Sequence, residues 1–106
     1  MDGIGAALFP GRWNPEGTRA VYTADCLALA MLEIIAHAPV MPLPGRYVHW
    51  IIDLGDRVVT EVLGPAADQL LSDQDESRRY GEAWFRAGET CALIVPSKLA
   101  PSPHRN

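Results

Sequence analysis

The most hydrophobic part of the chain lies between Asp25 and Pro39, and its apolar residues follow a helical spacing. Asp25 is a plausible N-cap, and residues 26–38 contain neither glycine nor proline. Apolar side chains recur there at intervals of three and four residues, which predicts a helix over 26–38. Pro39 ends it, because a residue before proline is pushed out of the helical region. Since apolar residues surround this helix almost completely, we expect it to be deeply buried.

Alternating apolar and polar positions over 47–54 predict a β-strand with Val48, Trp50, Ile52 and Leu54 on one face. A turn at 55–57 follows, and residues 58–63 can return as the second strand of an antiparallel hairpin. The proline-rich residues 39–46 before this hairpin form a stiff connector.

The remaining segments contain shorter signals. Residues 1–18 are rich in glycine and proline and are predicted to form a loop, and residues 20–23 form a short β-prone run. A polar stretch over 68–79 leads into a second helix that ends near Gly88, and residues 91–95 form a last strand. Because helices and strands do not follow a βαβ order, we expect an α+β fold with a small mixed or antiparallel sheet and two main helices.

Composition narrows the class of protein. The 106 residues predict one domain over 1–106, and a net charge of −4 gives no electrostatic footprint for direct nucleic-acid binding. No apolar stretch approaches the roughly 20 residues of a membrane span, and the N-terminus lacks the pattern of a signal peptide. Cys26 and Cys91 lack metal-ligand spacing and are expected to be buried, reduced thiols. We therefore expect a cytoplasmic protein.

Glu33 is the most informative polar residue, because it lies within the most apolar helix of the chain. Burying a carboxylate is unfavourable unless it is paired or hydrogen-bonded. One interpretation places Glu33 on an exposed line of the helix, near His37 one turn later. The other makes it an active-site carboxylate held on a rigid helix.

Other candidates come from irregular segments. Arg12 lies in a glycine- and proline-flanked loop beside Trp13, where a guanidinium suits phosphate or carboxylate binding or stacks on the indole. Tyr22 is a core residue or a ring on which a planar ligand stacks. Ser97 follows Pro96 at a strand end, without the surroundings of a nucleophilic elbow. The three histidines are scattered, so no metal site is expected.

The order of these residues resembles the RES domain of bacterial toxin–antitoxin systems. The resemblance starts with Gly11-Arg12-Trp13-Asn14 and Val21-Tyr22-Thr23, and continues through residues 27–33 with Glu33. Later, Tyr80-Gly81-Glu82-Ala83-Trp84 is similar to the family's G-[DE]-x-W helix, and Val95-Pro96-Ser97 to its strand-end serine motif.

The resemblance implies an ADP-ribosyltransferase-like fold and an attack on NAD⁺ as substrate, with no prosthetic group. Arg12, Glu33 and Ser97 match the arginine, glutamate and serine for which the family is named, and would be the catalytic residues. Arg12, Tyr22, Trp13 and Asn14 would bind NAD⁺: the arginine would hold the pyrophosphate and the tyrosine would stack on nicotinamide. Glu33 would stabilise developing positive charge, and Ser97 would bind the ligand or orient Glu33. Water, phosphate or a protein would accept the ADP-ribose.

The resemblance also implies a partner, an Xre-type helix-turn-helix antitoxin. Two departures from the family pattern stand out: no strand precedes the loop at Gly3–Ala6, and no Asn-Pro-x-His-Pro-like motif follows Asn106. The chain is therefore expected to be shortened at both ends, with unpaired sheet edges that favour self-association. The alternative function is a catalytically inactive RES-like domain that binds an antitoxin or a toxin subunit.

Overall fold

A computed structural model describes residues 2–37, 45 and 47–99 of the chain. In this part of the chain, helices and strands occur together, which is consistent with the predicted α+β class. The helices are α1 (Ile4–Leu8), α2 (Leu27–His37), α3 (Gly64–Ser72) and α4 (Gln74–Ala87), and the strands are β1 (Thr60–Glu61) and β2 (Leu93–Ile94). The prediction of two main helices was wrong, since the described residues contain four.

The sheet is parallel, and the predicted antiparallel arrangement was wrong. Thr60 pairs with Leu93 and Glu61 with Ile94. The amide nitrogens of Thr60 and Val62 donate to the carbonyl oxygens of Ala92 and Ile94, at 3.0 and 2.9 Å. Between the two strands the chain forms α3 and α4, and a crossover of this length is what joins parallel neighbours. The order β1–α3–α4–β2 is therefore a crossover that the sequence pattern did not indicate.

The predicted hairpin does not form. A turn does occur at Gly55 and Asp56, but residues 47–54 contain no strand, and only residues 60–61 of the returning segment pair with another strand. Val62, at the end of that segment, is buried in the core that also contains Val95. Pairing with the last strand places Val62 in the apolar core, whereas Val48, Trp50 and Ile51 of the predicted partner strand are exposed.

Helix α2 occupies the predicted residues but is not deeply buried. It runs over Leu27–His37, and the predicted last residue, Ala38, and the terminating Pro39 lie outside the described residues, as does most of the predicted connector. Leu29 is its buried residue, whereas an apolar face is exposed to solvent: Leu27, Met31, Leu32, Ile34 and Ile35. Among the elements that the structure describes, none packs extensively against α2. The prediction of deep burial from the all-round apolar pattern was therefore wrong.

The N-terminal segment and α3 contain helices that the pattern missed. Residues 4–8 form α1 within the predicted loop. Gly64 and Pro65, which end the β-prone run, also begin α3, with the proline in the first turn, where its missing N–H has no intrahelical partner to lose. Residues 20–23 are not a strand.

Helix α4 forms as its sequence predicts. The Asp73 carboxylate accepts hydrogen bonds from the backbone N–H groups of Asp75 and Glu76, which caps the N-terminus. At the other end, Gly88 adopts the left-handed conformation and its N–H donates to the Trp84 carbonyl. Helices α3 and α4 pack against each other. Ala67 of α3 belongs to the core, together with Trp13, Val62 and Val95.

Two further findings concern the cysteines and membrane contact. Cys26 and Cys91 are free thiols, as expected, but neither is buried: Cys26 is partly exposed and Cys91 is exposed. Among the described residues, no helix has the length and apolar character needed to cross a lipid bilayer.

Candidate functional site

Asn14 organises the loop that contains the candidate arginine. Its side chain is only 2% exposed. The amide oxygen Oδ1 accepts from the Gly11 N–H at 2.9 Å and from the Tyr22 hydroxyl at 2.6 Å. The amide nitrogen Nδ2 donates to the Ala6 carbonyl at 2.7 Å and to the Thr18 carbonyl at 3.3 Å. Asn14 therefore ties the loop to α1 and to Tyr22, and its contact with a ligand stays a prediction.

Tyr22 has a buried hydroxyl and an accessible ring. The hydroxyl donates to Asn14 and accepts from the Trp13 backbone N–H at 3.2 Å, while the residue as a whole is 47% exposed. Burial of the hydroxyl raises the pKa of Tyr22, against smaller lowering effects from the Trp13 N–H and from the charge of Arg78. A neutral phenol anchored at its oxygen presents its ring to solvent, which suits stacking with a planar ligand.

Trp13 anchors the loop in the core. Its indole is buried beside Val62, Ala67 and Val95, and it meets the Tyr80 ring edge to face with centroids 6.5 Å apart. Gly81 of α4 lies directly against the Trp13 backbone, where an added Cβ would overlap the carbonyl oxygen. The structure therefore gives Trp13 a packing role, and the NAD⁺ binding that the resemblance implies for it stays a prediction.

Arg12 is partly buried between the loop and the two packed helices. Its Nη1 donates to the Leu71 carbonyl, near the C-terminus of α3, at 3.1 Å. Its own carbonyl accepts from the hydroxyl of Ser77 on α4 at 2.8 Å. The guanidinium is therefore oriented by a backbone carbonyl, and its remaining donors can take an anion.

Sequence reasoning missed two residues that hold this loop. Ser77 is completely buried, and Arg78 donates from Nε to the Gly11 carbonyl at 2.8 Å. Both lie about one helical turn before Gly81, which packs against Trp13, so all three residues are on the part of α4 that contacts the loop. The polar stretch over 68–79 was interpreted only as the lead into a helix. The sequence places Ser77 and Arg78 four and three residues before Gly81, but it does not show which loop they contact.

Glu33 and Ser97 meet although 64 residues separate them. The Ser97 hydroxyl donates to Glu33 Oε1 at 3.3 Å, and the Leu99 N–H donates to the same hydroxyl at 3.2 Å. Ser97 is fully enclosed, and the other oxygen of Glu33 lies 3.3 Å from Nε2 of His37. The Glu33 side chain is 25% exposed and that of His37 is 78% exposed. Glu33 thus contacts the exposed His37 one turn later, as the first interpretation expected, and also a buried hydroxyl. Its role as an active-site carboxylate stays a prediction.

The candidate residues form two groups. Arg12, Trp13, Asn14 and Tyr22 are joined by the loop contacts, and Glu33 and Ser97 are joined by their hydrogen bond. The core links the groups, because Trp13 packs in one cluster with Val95, two residues before Ser97. Within the described ranges, no group of three histidine, cysteine or acidic side chains could hold a metal ion.

Comparisons with known proteins identify the family of the chain. The family model described as "RES domain" matches residues 1–106. The chain is 33% identical over 107 residues to a protein of Sphingobium named "Prs ADP-ribosylating toxin", covering 95% of this chain and 66% of that protein. It is 31% identical over 105 residues to a "Toxin Res" of Photorhabdus laumondii, covering 93% and 65% of the two proteins. The chain thus spans just under two thirds of the length of these two relatives. No solved structure shows a significant match.

Proposed function

The chain belongs to the RES domain family, and from this premise we propose that it is a toxin that consumes NAD⁺ by breaking the nicotinamide–ribose bond. The observation that carries the proposal is the partly buried Glu33 carboxylate, which accepts a hydrogen bond from the fully buried Ser97 hydroxyl. A carboxylate fixed in this way suits a reaction that develops positive charge on a sugar. The toxin names of the relatives support the same role.

The reaction resembles glycoside cleavage. The bond between the nicotinamide nitrogen and ribose C1′ breaks, the electron pair leaves with nicotinamide, and the ribose becomes oxocarbenium-like. Glu33 stabilises this cation, and Ser97 keeps the carboxylate in place through its hydrogen bond. Attack at C1′ by water, phosphate or a protein side chain completes the reaction, with loss of one proton from the acceptor.

The loop residues bind the rest of the dinucleotide. Arg12 holds the pyrophosphate through the donors that its bond to the Leu71 carbonyl leaves available. Tyr22 stacks its exposed ring on nicotinamide, while its hydroxyl stays on Asn14. Trp13 and Asn14 fix the geometry of this loop. The fold that would bring these groups around NAD⁺ is ADP-ribosyltransferase-like, and the site needs no prosthetic group.

The acceptor and the partner belong to the same proposal. A protein acceptor is supported by the name of the Sphingobium relative, an ADP-ribosylating toxin. A cytoplasmic location would place the protein beside its NAD⁺ substrate. A toxin of this kind needs an inhibitor, and an Xre-type antitoxin is the expected partner.

Expression in bacteria tests the proposed function. Induction of the wild-type chain should stop growth and lower cellular NAD⁺, and Glu33→Gln should do neither. Glu89→Gln is the matched control, because Glu89 is exposed on the surface and the charge change is the same. Normal NAD⁺ levels during wild-type expression, or equal NAD⁺ loss with Glu33→Gln, would contradict the proposal.

The exposed apolar face of α2 favours a second candidate, a catalytically inactive domain that binds an antitoxin or a toxin subunit. Met31 and Ile35 on this face are each more than half exposed, and exposed apolar patches mark binding surfaces. This candidate predicts stable copurification with an Xre-type partner and no loss of NAD⁺. Ile35→Asp should then abolish copurification, whereas NAD⁺ cleavage by the chain alone would exclude this candidate.

A further inference from the structure

We propose that Arg78 is a second anion-binding residue of the site, which recognises a phosphate of the dinucleotide beside Arg12. This inference rests on the proposed function for the identity of the ligand. Arg78 suits this role because of its position on α4, its unneutralised charge and the geometry of its side chain.

Helix α4 fixes Arg78 against the candidate loop. Nε of Arg78 donates to the Gly11 carbonyl at 2.8 Å, one residue before Arg12. The neighbouring Ser77 hydroxyl donates to the Arg12 carbonyl at 2.8 Å. Two consecutive residues of one helix therefore hold two consecutive carbonyls of the loop. These hydrogen bonds keep Arg78 next to the segment that contains Arg12.

The charge of Arg78 differs from that of its neighbours on α4. Arg79 and Arg86 form ion pairs: Nη2 of Arg79 lies 3.9 Å from Oε1 of Glu76, and Nη2 of Arg86 lies 2.6 Å from Oε1 of Glu82. In the part of the chain that the structure describes, Arg78 has no carboxylate partner, and its Nη atoms have no hydrogen-bond acceptor. In a chain with a net charge of −4, attraction of an anionic ligand requires local positive charge of this kind.

The charge of Arg78 also acts on Tyr22, whose ring is proposed to stack on nicotinamide. Burial dominates the raised pKa of Tyr22, and the charge of Arg78 acts on the same hydroxyl in the opposite direction. Arg78 is therefore close enough to Tyr22 to act electrostatically on its phenol.

The guanidinium geometry allows both tasks at once. Arginine presents five N–H donors in a planar fork, and only Nε is used by the Gly11 carbonyl. The two Nη atoms can form paired hydrogen bonds to phosphate oxygens, an arrangement that lysine cannot reproduce. Arg78 is thus anchored through one nitrogen and keeps the others for an anion.

Binding of inorganic pyrophosphate to the purified chain, measured by calorimetry, tests the inference. Arg78→Gln should weaken pyrophosphate binding about tenfold or more, the order expected when a charge-assisted hydrogen bond is lost. Arg79→Gln is the matched control and should change it less than about twofold, because Arg79 is 71% exposed and an exposed pair contributes little. Arg78→Lys, which keeps the charge but loses the fork, should give an intermediate affinity.

A second probe separates anion recognition from support of the loop. Nicotinamide has no charge, so its affinity should be the same in wild type and in Arg78→Gln if the residue reads phosphate. Equal weakening of nicotinamide and pyrophosphate, equal effects of the two glutamine variants, or no pyrophosphate binding by the wild type would overturn the inference.

Turnover of NAD⁺ by the same variants separates this inference from the proposed function. The expected result is a KM for NAD⁺ raised about tenfold in Arg78→Gln, with kcat changed less, since phosphate contacts bind ground and transition states alike. Cleavage of NAD⁺ with an unchanged KM would overturn the role of Arg78 alone. Arg78-dependent pyrophosphate binding in a chain that does not cleave NAD⁺ would overturn the proposed function and leave the anion site.

Discussion

Ser97 and Glu33 show how a single buried hydroxyl can orient a candidate catalytic carboxylate. The hydroxyl of Ser97 accepts a hydrogen bond from the Leu99 N–H and donates one to Glu33 Oε1. Because Ser97 is fully enclosed, its rotamer is fixed by packing. The position of the carboxylate then depends on a rigid donor as well as on the exposed His37.

Replacing Ser97 with alanine should lower kcat for NAD⁺ cleavage by about 10- to 100-fold, the loss expected for one hydrogen bond to a charged group. KM should change less, because the carboxylate acts mainly on the developing cation. Steady-state kinetics of Ser97→Ala and of the exposed control Ser72→Ala provide the check. A kcat equal in both variants would contradict the role of Ser97.

The buried phenol of Tyr22 predicts a pH dependence. Burial raises its pKa above the ordinary value of 10.0, so the folded state favours the protonated form. This contribution to stability is fully present below about pH 10 and is lost as the pH rises through the raised pKa. The free energy of unfolding should therefore fall more steeply above about pH 10 in the wild type than in Tyr22→Phe.

Urea denaturation between about pH 9 and 11 measures this difference, and tyrosinate absorbance measures the ionisation directly. The part of the absorbance change that disappears in Tyr22→Phe should be centred above pH 10. A midpoint at or below the ordinary value would contradict the burial of the hydroxyl.

At the scale of elements, α4 supports the candidate loop. Ser77, Arg78 and Gly81 contact successive backbone groups of Gly11, Arg12 and Trp13. The close approach at Gly81 leaves no room for a side chain, so the helix and the loop fit together only with glycine there. The G-[DE]-x-W pattern noticed in the sequence thus has a physical reason in the packing of Trp13.

Gly81→Ala should destabilise the fold by about 1–3 kcal/mol, the usual effect of overpacking a filled site, and should also raise KM for NAD⁺. Gly5→Ala is the control, because the space around Gly5 is open. Chemical denaturation of both variants measures the effect. Equal stability of Gly81→Ala and wild type would show that the loop is not packed against α4 in this way.

The helices α2 and α4 could be predicted from the sequence, and the sheet could not. Helical spacing and a C-terminal glycine are local signals, so α2 and α4 appear close to their predicted positions. Pairing of β1 with β2 depends on the burial of Val62 and Val95 in a shared core, which no local pattern contains. The alternation over 47–54 predicted a strand that does not form.

The candidate site was predicted in part. Arg12, Tyr22, Glu33 and Ser97 came from the order of residue types along the chain. The structure brings Glu33 and Ser97 into contact, and the roles of all four residues stay predictions. Ser77 and Arg78 were missed because their importance depends on which loop lies against α4, a long-range fact. The partner at Leu71 could not be foreseen for the same reason.

At the scale of the molecule, the apolar residues of the chain are distributed unevenly between core and surface. Trp13, Val62, Ala67 and Val95 form the buried core, whereas the apolar face of α2 is exposed to solvent. Glu33 lies on that same helix, so a protein that covers α2 would lie close to the candidate carboxylate. The proposed inhibition by an antitoxin could thus act through α2, and activity should be measured on the chain without a partner.

Release of free nicotinamide from NAD⁺ by the purified chain tests whether the chain breaks the nicotinamide–ribose bond with the help of Glu33. We expect release by the wild type and by Glu89→Gln, and at least a hundredfold slower release by Glu33→Gln, on the order of an electrostatic transition-state contact. Circular dichroism should show that all three proteins are folded. Release by folded Glu33→Gln at the wild-type rate, or none from the folded wild type, would contradict the account.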